Sequence, residues 1–541
     1  MMTDKNSLSK KCLKLFFKTP VYNFLINKNI STDVHNILSD PWGGDINSGY
    51  NILRGYIKFF NETINFSNSV WEKNDASKVW KEELHSFEWA NDLRAVGTNE
   101  SRVFLRQSIT EWINKYSCFH ELEWNNHIIG RRICSLFGNF NFFFYSAEKD
   151  FQENLLSNIC KQANHLLKCK LNFTNGIERI FVLKAIILIT LNYKIFYKFY
   201  NFSIKLLLEE IKLQVYTDGC HYSKSPSKHI LFLKNLLDIK NYLVESKIKI
   251  PKEIISTISR MACVVKFFKM SNGSLTNFNN STSFKNIFVN QIIMRSNSKI
   301  KVPENLSASG FRKISGHKIN LIMDCGNPVS DDTCAGSLSF ELSFGKNKII
   351  VNCGAPYVHN KKWTEAMKTT AAHSTLSIDN INSSDIFYKK ENKNSRLAKV
   401  WSTKKFNNHC HWIDSAHSGY RDIFGIIHAR KIHIDINNKL IRGQDVLSQV
   451  TKNYSLIAKK YFLRFHLHPS IEVSATGSKK KAILRLPGGQ GWEFICSEAK
   501  IRILESIYLG EKQKIYKTNH ILISDRIIPE KKVRWLFRLI K

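Results

Sequence analysis

The sequence predicts a two-domain α+β protein: an (α/α) helical toroid over residues 1–300, then a large antiparallel β-sandwich over residues 307–541. Three observations predict it. A chain of 541 residues is too long for one compact core. Apolar residues recur with a helical period up to about residue 295. From about residue 307 they recur with a period of two, in short runs divided by turn residues.

In the first half the opening MMTDKNSLSKKCLKLFFKTPVYNFLINK is basic, its apolar runs are broken by lysine, and no small-residue cleavage site follows, so it is not read as a secretory signal. In SRVFLRQSITEWINKY, Leu105, Ile109, Trp112 and Ile113 share one helical face. Similar stretches run from Ile128 to Phe137, Leu155 to Leu167, Ile180 to Phe199, Ile204 to Leu213, Ile230 to Leu243 and Ile254 to Phe268, separated by TNG, TDG and KSPS. Many helices joined by short loops predict helical hairpins stacked about a common axis. The longest apolar run, Ile180 to Leu191, contains Lys184 and is too short to span a bilayer, so it reads as a buried helix. Ser271 to Phe284, SNGSLTNFNNSTSF, is polar and of low complexity, the loop or linker nearest the boundary.

In the second half the runs HKINLIMD, LSFELSF, KIIVN, STLSID, AKVWST, HARKIHIDI, KLIRGQDVL, YFLRFHLHP, IEVSA, KAILRLP, WEFICS and HILIS read as strands. Turn residues between them favour an antiparallel sandwich. Leu338, Phe340, Leu342 and Phe344 alternate with polar neighbours, GKN makes a turn, and Lys348 to Val351 begins the return strand.

The net charge of +35 suggests an acidic polymer, nucleic acid or an anionic membrane surface as partner, although abundant Lys, Asn, Ile and Phe are also what codon drift in an AT-rich genome supplies. No arginine-rich arm or nucleic-acid motif is present, which argues against a specific nucleic-acid reader. The 12 cysteines are scattered without a CxxC pair, so neither a zinc ribbon nor a thioredoxin-like site is supported.

Several segments carry a family resemblance. DPWGGDINSGYNILRGY (Asp40 to Tyr56), FEWANDLRAVG (Phe87 to Gly97), ITEWI, IIGRRICSLF and QVYTDGCHYSKSPS (Gln214 to Ser227) occur in the first half. SGFRKISG, LSFELSFGKNKIIVNCG, TAAHSTL, HSGYRDIFGIIHARKI and RFHLHP follow in order. Together they resemble the heparinase II/III-like polysaccharide lyases over nearly the whole chain. The resemblance implies β-elimination on an acidic, uronate-containing polysaccharide. A base takes the proton alpha to the uronate carboxylate, and donors must neutralise that carboxylate. The family uses a Tyr and a His, helped by Asn, Glu or His, and many members hold zinc through His, Asp and His. Its lyases are mostly periplasmic or secreted, which points to the cell envelope; the lack of a visible signal leaves the cytoplasm as the alternative.

Carried onto this sequence, the zinc positions fall on Cys334, Asn352 and His373, and a catalytic His falls on Asp332. Cys and His are good zinc ligands and neutral Asn a poor one. In the loop after Asp218-Gly219, Lys224 stands for the family's Arg, and Ser227 and Lys228 occupy the place expected for its Tyr. His221 and Tyr222 are then the candidate acid and base, with His221 needing less tuning near neutral pH; a plain helix-ending turn is the alternative. Arg131 or Arg132 is a candidate bidentate donor to a substrate carboxylate, with a solvated helix face as the alternative. Arg464, His466 and His468 share a strand face opposite Phe465 and Leu467, a face turned to substrate or to solvent. The competing function is a polysaccharide- or polyanion-binding protein on the same fold that has lost elimination chemistry.

Overall fold

Helix in the first half and antiparallel strand in the second follow the two hydrophobic periods. The computed structural model describes residues 11–35, 40–72, 74–329, 333–356, 361–386, 395–450, 459–511, 514–528 and 530–540. Two units emerge, Met1–Leu213 with Phe232–Ser256, and Gln214–Leu231 with Thr257–Lys541. Among the described residues no helix is long and apolar enough to cross a membrane.

In the first unit, Ser77 and Thr98 cap the helices Lys78–Ser86 and Asn99–Tyr116 by accepting the backbone N–H of Trp80 and Ser101. Leu105, Ile109, Trp112 and Ile113 are buried, as their spacing predicts. The helix Asn126–Gly138 is buried along almost its whole length. A side chain at Gly130 would meet the Phe181 carbonyl at 2.8 Å, so glycine here lets the helix Glu178–Asn192 approach closely. The stretch expected to run unbroken from Ile180 to Phe199 breaks at Tyr193, which is extended, and resumes as a 3₁₀ turn over Lys194–Phe199. The Tyr193 hydroxyl donates to the Leu156 carbonyl and fixes that break, a tertiary contact that periodicity does not encode. A hairpin, β1 (Tyr56–Phe59) and β2 (Glu62–Asn65), also lies within this largely helical unit.

The second unit carries the sheets. Its first strands are β3 (Asn305–Leu306), β4 (Phe311–Gly316), β5 (Ile319–Asp324), β6 (Phe340–Phe344), β7 (Asn347–Val351) and β8 (Leu376–Ile378). Next come β9 (Val400–Asn407), β10 (Cys410–Tyr420), β11 (Ile426–Asp435) and β12 (Leu440–Gln449). The last are β13 (Lys460–Leu467), β14 (Glu472–Ala475), β15 (Lys481–Arg485), β16 (Gly491–Cys496), β17 (Ile501–Tyr508), β18 (Tyr516–Arg526) and β19 (Lys531–Leu539). One sheet runs β17-β18-β13-β7-β6-β5-β4-β3, with β8 added to β13; the other runs β14-β15-β16-β19-β12-β11-β10-β9. The pairings are antiparallel. Aromatic rings close the core between the sheets: Phe340 stacks on Trp535 at 5.8 Å and Phe465 meets Phe494 at 5.2 Å. Such ring pairs add to the burial that drives the two faces together.

The polar segment Ser271–Phe284 forms neither helix nor strand, as expected of a loop, yet much of it is buried and bonded to the first-named sheet. Asn277 donates its backbone N–H to Glu341 Oε1, the Leu275 carbonyl accepts from Lys348 Nζ, and Asn279 Nδ2 donates to Asp324 Oδ2. Its polar residues satisfy buried partners, so low complexity here marks a polar seam packed on the sheet.

Candidate functional site

The loop Gln214–Leu231 folds with the sandwich unit. Gly219 has φ +89°, and a side chain there would meet Arg260 backbone at 2.7 Å, so the turn requires glycine. Asp218 accepts the Cys220 N–H on one oxygen and both the N–H and hydroxyl of Ser309 on the other. The Asp-Gly pair thus pins the loop to the segment leading into β4.

His221 has no solvent-exposed surface. Its Nδ1 accepts the Ser223 N–H and lies 2.7 Å from Ser223 Oγ, so the proton sits on Nε2, which donates to Gln214 Oε1 at 2.8 Å. Its own N–H donates to His229 Nδ1, whose Nε2 donates to the Met261 carbonyl. Burial lowers His229 to about 4, so this second imidazole is neutral. Tyr222 is half-buried, the most exposed of the loop's three catalytic candidates.

Lys224 is buried, with φ +55°, and donates to the Asn327 carbonyl at 2.6 Å. A side chain at Gly326 would clash with its ammonium and with the Ser309 carbonyl, so glycine makes the cradle into which the lysine inserts. Burial lowers the Lys224 pKa, opposed by Asp324; burial raises that of Asp324, opposed by Lys224. Lys224 therefore fastens the loop instead of facing solvent. Asp332 lies outside the described residues.

The three positions expected to hold zinc are all buried, and Asn352 and His373 each hold a backbone segment. Asn352 Oδ1 accepts the Ser374 N–H at 3.0 Å, and a neutral amide oxygen is a poor zinc ligand. His373 Nδ1 donates to the Thr369 carbonyl at 2.8 Å, and Gly336 packs against the ring so closely that an added Cβ would meet Cδ2 at 2.6 Å. Burial lowers His373 to about 4 and raises the Cys334 thiol to about 12. Among the described residues no group of three or more His, Cys, Asp or Glu is placed to hold a metal.

The expected substrate-binding arginines of the helical unit are also spoken for. Arg131 is bidentate to Glu83 at 2.8 and 2.6 Å and also contacts both oxygens of Glu88, at 3.0 and 2.6 Å. Arg132 is fully buried; it donates to Gln162 Oε1 and to the His85 and Glu123 carbonyls, and lies 4.1 Å over the Trp112 ring. In the sandwich unit Arg464 donates to Ser377 Oγ and Asn380 Oδ1. His466 is buried; its Nε2 donates to the Ala371 carbonyl, and its Nδ1 lies 2.8 Å from Ser506 Oγ and 3.5 Å from Cys353 Sγ. A cavity of about 640 Å³ opens beside it, lined among others by Cys353, Met367, Ser506, Asn519 and His520.

The model of the heparinase II/III N-terminus matches residues 18–301, and the model of the heparinase II/III-like C-terminal region matches residues 301–536. The chain belongs to the heparinase II/III-like family. A solved structure of heparinase III is similar at a TM-score of 0.72 and 15% identity, over 98% of this chain and 89% of that one. The heparan sulfate lyase HepC from Pedobacter heparinus is similar at a TM-score of 0.62 and 14% identity, over 98% and 88%. At such identity these likenesses show the fold, a helical toroid followed by an antiparallel sandwich. Among curated proteins, FtsZ-localized protein C of Caulobacter vibrioides is 24% identical over 518 residues, 92% of this chain and 88% of that protein.

This heparinase II/III-like chain also contains a buried polar network that the sequence reading passed over. The Gly419 N–H donates to His417 Nδ1, so His417 Nε2 carries the proton and donates to His428 Nδ1 at 3.1 Å. His428 Nε2 in turn donates to Asp445 Oδ1 at 2.7 Å. Asp445 also accepts from Arg430 Nε at 2.8 Å and Trp535 Nε1 at 2.8 Å. Burial pushes Asp445 up, but Arg430 and His428 outweigh it and hold the carboxyl at about 2. Arg430 NH1 donates to the Leu338 and Ser374 carbonyls, so the network clamps the segments carrying Cys334 and His373. Leu338 has φ +62°, a strained conformation for a branched side chain, held by that bond and by its own N–H to Asp324. One signal was available: in HARKIHID, His428 and Arg430 fall on the same strand face as Ile432 and Ile434, polar side chains at inward positions.

Proposed function

We propose that this protein is a polyanion- or polysaccharide-binding member of the heparinase II/III-like family that carries out no β-elimination. One observation carries the reading: His221, the side chain best suited to act as base, is enclosed with both ring nitrogens bonded. A general base must reach the proton that it removes. The other candidates are engaged too, Lys224 on a backbone carbonyl and Arg131 on two glutamates. The charge of +35 supports attraction of an acidic polymer.

The test combines turnover and binding. Purified protein is incubated with a panel of uronate polymers, and new ultraviolet absorbance from an unsaturated product is followed alongside binding to the same polymers. Saturable binding without new absorbance is expected. Turnover that disappears in Tyr222→Phe would replace the reading with a lyase whose acid–base group is Tyr222, the alternative that its partial exposure favours.

A second reading draws on the relative named as FtsZ-localized, which matches most of both chains. In that reading this chain also gathers where FtsZ assembles, and its compartment is that of FtsZ rather than the envelope space expected of lyases. A fluorescent fusion that stays diffuse while FtsZ forms its assemblies would rule it out.

A further inference from the structure

The outer face of the second sheet carries a groove. Trp412, His433, Arg442, Leu536 and Ile495 lie in register across β10, β11, β12, β19 and β16. The adjacent row carries Asp414, Lys431, Gln444 and Arg534. Between these rows lies a depression of about 470 Å³. Four strand spacings make the row about 19 Å long.

Its chemistry is lopsided. Three cations, Lys431, Arg442 and Arg534, line it against one acid, Asp414. Arg534 pairs with Glu498, whereas neither Lys431 nor Arg442 forms an ion pair among the described residues. The Trp412 and His433 rings lie 4.9 Å apart, tilted by 37°, and give the groove an aromatic wall. The floor is stiff: Trp535 donates to buried Asp445, and its ring lies so close to Gly443 that an added Cβ would clash with it. Lys431 and Arg442, outside any ion pair among the described residues, beside an aromatic wall on rigid strands suit a ligand with both anionic groups and flat apolar faces.

We propose that this groove binds a short stretch of acidic oligosaccharide, with Trp412 against a sugar face and Lys431 and Arg442 on its carboxylates or sulfates. The proposal rests on the polyanion-binding reading above and says where the polymer sits. An acidic peptide fits less well. The strands beneath the groove are hydrogen-bonded on both sides within the sheet, so they offer a peptide no main-chain bonds, the usual source of affinity when an extended chain adds to a sheet.

The test uses the full chain and a fluorescently labelled heparan sulfate hexasaccharide, read by anisotropy at fixed salt. Trp412→Ala and the double variant Lys431→Glu/Arg442→Glu are compared with Lys249→Glu/Lys252→Glu, which changes charge equally on exposed lysines of the helical unit. The groove variants are expected to lose about ten-fold or more in affinity, and the control to stay within about two-fold. Equal loss in the groove and control doubles, or unchanged binding by Trp412→Ala, overturns the groove as a site and leaves only net-charge attraction. Wild-type binding that the groove variants keep overturns the groove but not polymer binding. No wild-type binding overturns both. Groove-dependent binding of polyglutamate as tight as that of the hexasaccharide would assign the groove to an acidic protein segment instead. Circular dichroism of each variant confirms folding.

Discussion

Replacing Asp445 by Ala removes the anion on which three buried donors converge. Arg430 keeps its charge inside the sandwich with no carboxylate beside it, and the N–H groups of His428 and Trp535 lose their acceptor. Arg430, His428 and Asp445 are fully buried, so water cannot step in. Breaking a buried ion pair on one side costs about 3–5 kcal/mol, and each orphaned donor about 1–3 kcal/mol. These losses share one acceptor and do not add in full, so a total of about 4–6 kcal/mol is expected. Set against the roughly 5–15 kcal/mol that holds a typical domain folded, this removes about a third or more of its stability. Urea unfolding followed by tryptophan fluorescence should show the midpoint fall by about 1–2 M. Adding Arg430→Met should restore part of the loss, because removing both charges leaves none uncompensated. Acid should close the gap between wild type and variant. The native carboxyl titrates at about 2, below its unfolded value of roughly 3.9, so its stabilisation is full above pH ~4 and lost as pH falls through about 2. Asp445→Ala within about 1 kcal/mol of wild type, or a double variant no more stable than the single, would refute this account of the network.

Three further outcomes are expected. His221→Ala should cost about 1–3 kcal/mol of stability, because Gln214 and Ser223 lose a buried partner, and should leave polymer affinity unchanged; unaltered stability with lost turnover would return His221 to catalysis. Metal analysis should find zinc well below one equivalent, with no difference in Cys334→Ser; a full equivalent that falls in that variant would show that the cluster rearranges to bind. Stability should fall as pH drops from about 6.5 to 4, because His229 and His373 stay neutral when folded and gain protons when unfolded, each worth up to about 3 kcal/mol; a flat profile over that window would mean these rings are solvated.

Sequence by itself determined the fold class. Period alone separated the helical from the stranded half, because burial on one face leaves a repeat of 3.6 or 2 in the chain. It placed Leu105, Ile109, Trp112 and Ile113 on a buried face, and the runs from HKINLIMD to HILIS on strands. It did not read β3, β4, β10, β17 and β19 as strands, although KKVRWLFRL in β19 alternates buried Val533, Trp535 and Phe537 with more exposed neighbours. The candidate residues were legible as residue types, and what each one does was decided only by tertiary structure. His221 and Asn352 read equally well as base and ligand or as buried hydrogen-bonding groups, and their partners Gln214 and Ser374 lie 7 and 22 residues away. Asp445 and Arg430 show the same limit more sharply. They are fifteen residues apart, on neighbouring strands, and join only when β11 and β12 pair in register. A hydrogen bond has a direction and a distance, whereas a sequence records only order along the chain; burial, which makes such a bond decisive, is a property of the packed core alone.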